Sequence, residues 1–394
     1  MTNATLLHPD RLFPSDAKTR EIARELYASV KDLPIISPHG HTDPEWFSEN
    51  QSFGDPVSLL LTPDHYVLRM LYSQGISLEE MGVRTKKGEA ETDKKKIWKI
   101  FARNFHLFRG TPSGLWLKHV FHEVFGLDRP LTVENSDFYF DEMNLKLQTK
   151  EFLPRALFER FKMEVLATTD AATDDLSAHK KIRETWGKKV IPTYRPDGVI
   201  DPEHEDFKTH LKKFGEVSGE DVYSWKGYLS AHRIRREFFK TMGATATDHG
   251  HPTAKTLALS LDQAEKLFTK ITSGNFAAED AENFRAHMLW KLAEMSEADG
   301  LVMQLHSGTY RNHNPQIFEK FGRDKGADIP QSTEYTHALK PLLDTFGNSK
   351  KFRMILFTLD ETNYARELAP LAGHYPALRL GPAWWFHDSP EGMI

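Results

Sequence analysis

The sequence predicts an α/β fold of the parallel (β/α)-barrel kind, and three observations predict it. Seven short apolar runs are spread along the 394 residues. Stretches with helical period separate most of them, and each run gives way to polar residues at its C-terminal end. Strands alternating with helices lie parallel, because a crossover helix returns the chain to the same end of the sheet. Polar side chains gathered at strand C-termini are what the mouth of a barrel needs. An open doubly wound sheet shows the same alternation, but no glycine-rich phosphate loop follows the first run.

The first run, "PIISPHGH" (34–41), ends in two histidines one residue apart. On an extended backbone residues i and i+2 point the same way, so His39 and His41 converge. Two neutral imidazoles suit a divalent first-row metal, zinc by ligand type; the bland alternative is a pair of loop histidines in a chain with 19 of them. The next stretch holds helical patterns such as "TPDHYVLRMLYSQG" and "KKKIWKIFARNFHLF". A structureless loop of that length is implausible, so residues 56–160 are expected to form a helical insertion at the mouth of a single barrel domain spanning 1–394. Thr62 and Pro63 suit the N-cap and first position of a helix opening on His65 and Tyr66.

Then come "MEVLATTD" (163–170) and "KVIPTYRPDG" (189–198), with a shorter insertion after the latter. "GATATDHG" (243–250) is followed by a helix in which Phe284, Met288, Leu292 and Met295 share a face, and Gly300 stops it. "GLVMQLHSG" (300–308), "FRMILFTLDE" (352–361) and "PALRLGPAWW" (376–385) complete the series. Seven runs fall one short of the eight strands of a closed barrel. The expectation is that the last strand is missing and that a C-terminal part of a longer chain is absent.

Composition narrows the function. A net charge of -5 with acids and bases intermixed argues against a nucleic-acid footprint or a polybasic membrane surface. With no cysteine there is neither disulfide nor thiolate metal site. The N-terminal "MTNATLLHPDRLFPSD" has no signal-peptide pattern, and no apolar run reaches membrane-spanning length. A soluble cytoplasmic protein is expected, with homo-oligomerisation left open.

Motifs at the run ends carry a resemblance. "IISPHGHTDP", "DHYVLRML", "LATTDAATDDLSAH", "VIPTYRPD", "TATDHG", "MQLHSGTYRNHN", "MILFTLDETNYARELAPLAGHYP" and "RLGPAWWFHDSPEGM", in this order, resemble the uronate isomerases (glucuronate/galacturonate isomerases) of the amidohydrolase superfamily. The resemblance runs nearly end to end. It departs at Gly40, where the family usually has another residue, and at the C-terminus, where the family's eighth strand ends in an Asp-x-Arg motif that cannot be assigned here.

The resemblance implies a distorted TIM (β/α)8 barrel with a helical insertion after strand 1. It also implies an aldose–ketose isomerase that interconverts D-glucuronate with D-fructuronate and D-galacturonate with D-tagaturonate, using one divalent metal and no nucleotide cofactor. His39 and His41 are then metal ligands, and His306 a catalytic or ligand-orienting residue. Arg195 is expected to grip the uronate carboxylate with its guanidinium fork, against a structural ion pair with Asp197 as the alternative. Arg311 is the second candidate for substrate. His65 and Tyr66 are expected to reach down into the site, where the helix N-terminus disfavours positive charge and suits a donor to a carbonyl. Asp248 serves as acid/base or as partner to a histidine. Trp384 offers an aromatic wall for a sugar ring. Two rivals stand beside this reading: a metal-dependent hydrolase of the same superfamily, and a non-catalytic sugar-acid binder.

Overall fold

The strands line up side by side in the order in which the chain makes them. The structure, a computed structural model, describes residues 6–382, 384 and 385. The strands are β1 (Ile35–Ser37), β2 (Met163–Ala167), β3 (Asp170–Ala171), β4 (Val190–Ile191), β5 (Tyr194–Arg195), β6 (Ala246–His251), β7 (Val302–Ser307), β8 (Thr309–Tyr310), β9 (Ile329–Pro330), β10 (Met354–Thr358) and β11 (Leu378–Leu380). One sheet has the order β1-β2-β4 and a second the order β11-β10-β7-β6-β5-β3, with every pair in both parallel. β3 continues β2, and β5 continues β4. The ladder crosses both breaks through Thr168 N–H to Ile191 O (3.0 Å), Asp170 N–H to Thr193 O (3.0 Å) and Ala172 N–H to Arg195 O (2.9 Å). Pro192, with no N–H to give, marks one break. All seven expected runs therefore supply strands at seven consecutive positions.

Among the described residues β1 pairs only with β2, and β11 only with β10. β8 and β9 form a separate antiparallel pair. Ala383 and residues 386–394, which include the whole of "FHDSPEGM", lie outside the described residues.

Between β1 and β2 the chain is helical, with Pro56–Leu60, His65–Ser73, Lys94–Asn104, Pro112–His119, Ser136–Leu147 and Pro154–Arg160 as its main helices. Asp55, Asp93 and Thr111 cap three of them by accepting N–H groups of the first turn. These helices enclose a core of their own, around Trp98, Phe101, Phe121, Tyr139 and Leu147. Ile317 and Phe321, from the excursion between β8 and β9, join that core and tie the helices to the barrel. The barrel core is distinct and includes Met303, Leu305, Met354, Leu356 and Leu378. On the helix Ala278–Asp299 the four residues expected on the inner face are all buried, and Gly300 ends it at φ +81.

One boundary differs from expectation. The cap of the helix His65–Ser73 is Asp64, not Thr62, because the Asp64 carboxylate accepts the Val67 N–H at 2.8 Å. Thr62 Oγ1 instead donates to Met81 O at 3.3 Å.

Candidate functional site

The strand C-termini open into a cavity of about 840 Å³, within the size range of small-molecule sites. Its lining includes all nine residues singled out in the sequence: His39, His41, His65, Tyr66, Arg195, Asp248, His306, Arg311 and Trp384.

His39 and His41 lie just past β1. Their rings meet edge to face with centroids 5.1 Å apart, and His39 stacks on His306 at 4.4 Å. Gly40 suits the close approach of this turn to β2, since a Cβ there would stand 3.3 Å from Ala167 O. Its own carbonyl accepts the Thr169 hydroxyl at 2.7 Å. Burial holds the His39 imidazole down at about 4, against the pull of Asp248, and burial followed by Arg195 lowers that of His41. Both rings are thus neutral, as metal ligands must be.

Asp248 and His306 come from adjacent strands, β6 and β7. Asp248 Oδ1 and His306 Nδ1 are 2.6 Å apart, and both side chains are buried. Burial alone would raise the Asp248 carboxyl; the His306 ring and the Arg195 guanidinium outweigh it and keep the group ionised. With Nδ1 directed at Asp248, His306 Nε2 is left buried without a hydrogen-bond partner, and so is His39 Nδ1. Ligand atoms of His39, Asp248 and His306 lie within 4.8 Å of one another. The unspent His39 nitrogen beside the Asp248 carboxylate fits a divalent cation, and the unspent His306 Nε2 has a lone pair with which to take a proton.

Arg195, at the end of β5, directs Nε to Asp197 Oδ2 at 2.7 Å and Nη1 toward Asp248 Oδ2 at 3.4 Å. Burial works against its charge, but Asp197 and Asp248 raise its pKa above the ordinary value. The ion pair weighed as the bland alternative is real. It fixes a guanidinium that also lines the cavity.

On the opposite side Arg311 Nη1 donates to Asp328 Oδ2 at 2.8 Å, and its guanidinium lies 5.0 Å from the Trp385 ring centre. Trp384 meets His306 edge to face at 4.6 Å. His65 and Tyr66 enter on the first turn of their helix, whose Arg69 Nη1 donates to Asp328 O at 2.9 Å.

Three contributors escaped the sequence reading. Asp197 was weighed only as a partner for Arg195, yet it also accepts the Gly250 N–H at 3.0 Å. Gly250 leaves room for the pair, and Asp328 holds Arg311. The Arg-x-Asp spacing hinted at the first; nothing local marks Asp328, whose partners lie 17 and 259 residues away.

Fold and site together define an amidohydrolase-type (β/α)-barrel enzyme, with metal-competent histidines at the strand ends and arginines suited to an anionic substrate. The chain belongs to the glucuronate isomerase family, whose model matches residues 16–394. It is similar to the uronate isomerase of Phenylobacterium zucineum, 61% identical over 394 residues, which are 100% of this chain and 82% of that protein. The Sphingopyxis alaskensis uronate isomerase is 58% identical, with 100% and 84% covered. Among solved structures, Caulobacter crescentus glucuronate isomerase superposes with a TM-score of 0.97 at 58% identity, covering 99% of this chain and 82% of that one. Thermotoga maritima uronate isomerase gives a TM-score of 0.90 at 29% identity, with 98% and 83% covered.

Proposed function

We propose that this chain interconverts D-glucuronate with D-fructuronate and D-galacturonate with D-tagaturonate, by proton transfer through an enediol. The observation that carries the reading is the convergence of the hydrogen-bonded Asp248–His306 pair, His39, His41 and Arg195 in one cavity.

Arg195 grips the C6 carboxylate of the open-chain uronate and Arg311 assists, which places C1 and C2 near the histidines. His306 is oriented by Asp248 so that Nε2 faces the reacting carbons. It takes the proton from C2 while the electrons move to the carbonyl oxygen on C1. Returning that proton to C1, while the C2 hydroxyl proton passes to the C1 oxygen and C2 becomes the ketone, completes the aldose-to-ketose conversion. His65 and Tyr66 donate to the oxygen on which charge develops. Trp384 bounds the ring-side wall. His39 and His41 would hold the divalent cation, zinc by ligand type, which when bound supplies Lewis-acid polarisation of the substrate oxygens. We place the enzyme in the cytoplasm as one barrel domain, 1–394, with residues 56–160 as its insertion. Among the described residues no helix is long and apolar enough to cross a membrane.

The test is direct conversion of D-glucuronate to D-fructuronate by the purified, metal-supplied chain. Binding of uronate without conversion would favour the sugar-acid binder. Cleavage of amide or ester substrates without aldose–ketose conversion would favour the hydrolase.

A further inference from the structure

The chain contains a second His-Gly-His, His249-Gly250-His251, again at the C-terminal end of a strand. Alternate residues of a strand face opposite ways. Asp248 and Gly250 share the face where His306 and Arg195 lie, so His249 and His251 share the other. His249 is buried, with Nε2 2.8 Å from Thr247 Oγ1, while its Nδ1 has no hydrogen-bond partner. One nitrogen pinned and the other unspent is how a metal-ligating histidine is held.

Asp197 comes to the same place from the start of the helix Asp197–Ile200. One ligand atom from each of Asp197, His249 and His251 lies within 4.8 Å of the other two. The Asp197 carboxylate already accepts from Arg195 Nε and from Gly250 N–H, and a carboxylate with about four lone-pair sites retains capacity for a cation. The Arg195 guanidinium lies on the Gly250 face of β6, opposite to the face of the two imidazoles.

Arg236 and Arg195 are the cations that act on His249, while the charge around His251 is favourable. Buried Arg285 is shared by three carboxylates, Asp201 at 2.8 Å, Glu203 at 2.7 Å and Glu282 at 3.1 Å. Lys255 is a further cation near Glu282, and the patch beside His251 remains net negative. Burial lowers the pKa of both His249 and His251, so the rings are neutral donors of lone pairs.

We propose that Asp197, His249 and His251 form a second divalent-cation site, of zinc class, behind the carboxylate that holds Arg195. Two imidazoles and a carboxylate are a zinc-type ligand set, and His251 lines the main cavity, which leaves an open position for water. The proposal does not rest on the assignment of His39 and His41.

The experiment strips the full chain with a chelator, reloads it with zinc, desalts it and counts ions per chain by mass spectrometry. Wild type should hold two ions, His251→Gln one, and the His39→Asn/His41→Asn variant one, with the triple variant empty. Cobalt loaded into the His39→Asn/His41→Asn variant should give visible absorption that His251→Gln removes, a readout independent of any folding loss in single variants. Loss of one ion in His251→Gln with none lost from the His39/His41 variant would support this site while faulting the main one. Equal ion content in wild type and His251→Gln, or no ion in the His39→Asn/His41→Asn variant, overturns the proposal.

Discussion

Gly250→Ala is a one-carbon change aimed at the grip on Arg195. A Cβ at this position would stand 2.6 Å from Arg195 Nη2 and 2.8 Å from Asp197 Oδ2. The backbone at Gly250 does not adopt a left-handed conformation, so the perturbation is steric. Restoring ordinary contact, about 3.4 Å, requires the guanidinium to move by about 0.8 Å. It cannot swing aside freely, because Nε is held by Asp197 at 2.7 Å and Nη1 faces Asp248 at 3.4 Å. Overpacking of this kind costs about 1–3 kcal/mol of stability. A misplacement of about 1 Å in a substrate-positioning group can cost about 100-fold in rate, so kcat/KM on D-glucuronate should fall roughly 30- to 100-fold. The assay is steady-state conversion of glucuronate, with a thermal melt to show that the variant is folded. Arg195→Met should lose about 2–5 kcal/mol of transition-state binding. Adding Gly250→Ala to Arg195→Met should cost less than it does alone, since the guanidinium is gone and only the 2.8 Å approach to Asp197 Oδ2 remains. Wild-type kcat/KM within twofold in the single variant, or full additivity in the double, would refute the reasoning.

Three further outcomes are expected. Asp328→Asn removes the charge that holds Arg311 at 2.8 Å and weakens the acceptor of the Asn312 N–H at 2.7 Å; kcat/KM should drop by about 1.5–3 kcal/mol, less than additively with Arg311→Lys, whereas additive losses would separate the two residues. Trp98→Ala empties the centre of the insertion core and strands Ser136 O, which accepts the indole N–H at 2.9 Å; denaturant unfolding should show a loss of about 3–5 kcal/mol, and a loss below 1 kcal/mol would contradict the packing. The third concerns Asp170 and His179, joined through Thr168 Oγ1, which donates to Asp170 at 2.7 Å and lies 2.8 Å from His179 Nε2. Burial pushes Asp170 up to about 6 and His179 down to about 4. The Asp170 contribution is present at low pH and lost as pH rises through about 6; that of His179 is present at neutral pH and lost as pH falls toward about 4. Displacements of this size are each worth about 3 kcal/mol and oppose each other across this window. Asp170→Asn should therefore lose about 2–3 kcal/mol more than wild type between about pH 7 and pH 4.5, and parallel stability profiles would rule the pair out.

By itself the sequence determined the strands and their functional ends. Short apolar runs broken by helical period can pack only as parallel strands with crossovers, and that topology sends every strand C-terminus to one face. This is why six residues chosen from runs far apart in the chain, His39, His41, Arg195, Asp248, His306 and Trp384, line one cavity. The inner face of the helix Ala278–Asp299 and its glycine stop were legible for the same reason, since periodicity and capping are local. Local rules failed where two capping residues competed: Asp64 took the helix start from Thr62 because its carboxylate reaches the Val67 N–H. What only the tertiary structure decided are the pairings across strands and loops. The 2.6 Å contact between Asp248 and His306 depends on the register of β6 against β7, which sets His306 opposite Gly250. The placement of Asp328 under Arg311 depends on the excursion between β8 and β9 packing Ile317 and Phe321 into the insertion core. A carboxylate distant in sequence leaves no periodic trace, so its partner is chosen only when packing brings the two side chains within hydrogen-bonding distance.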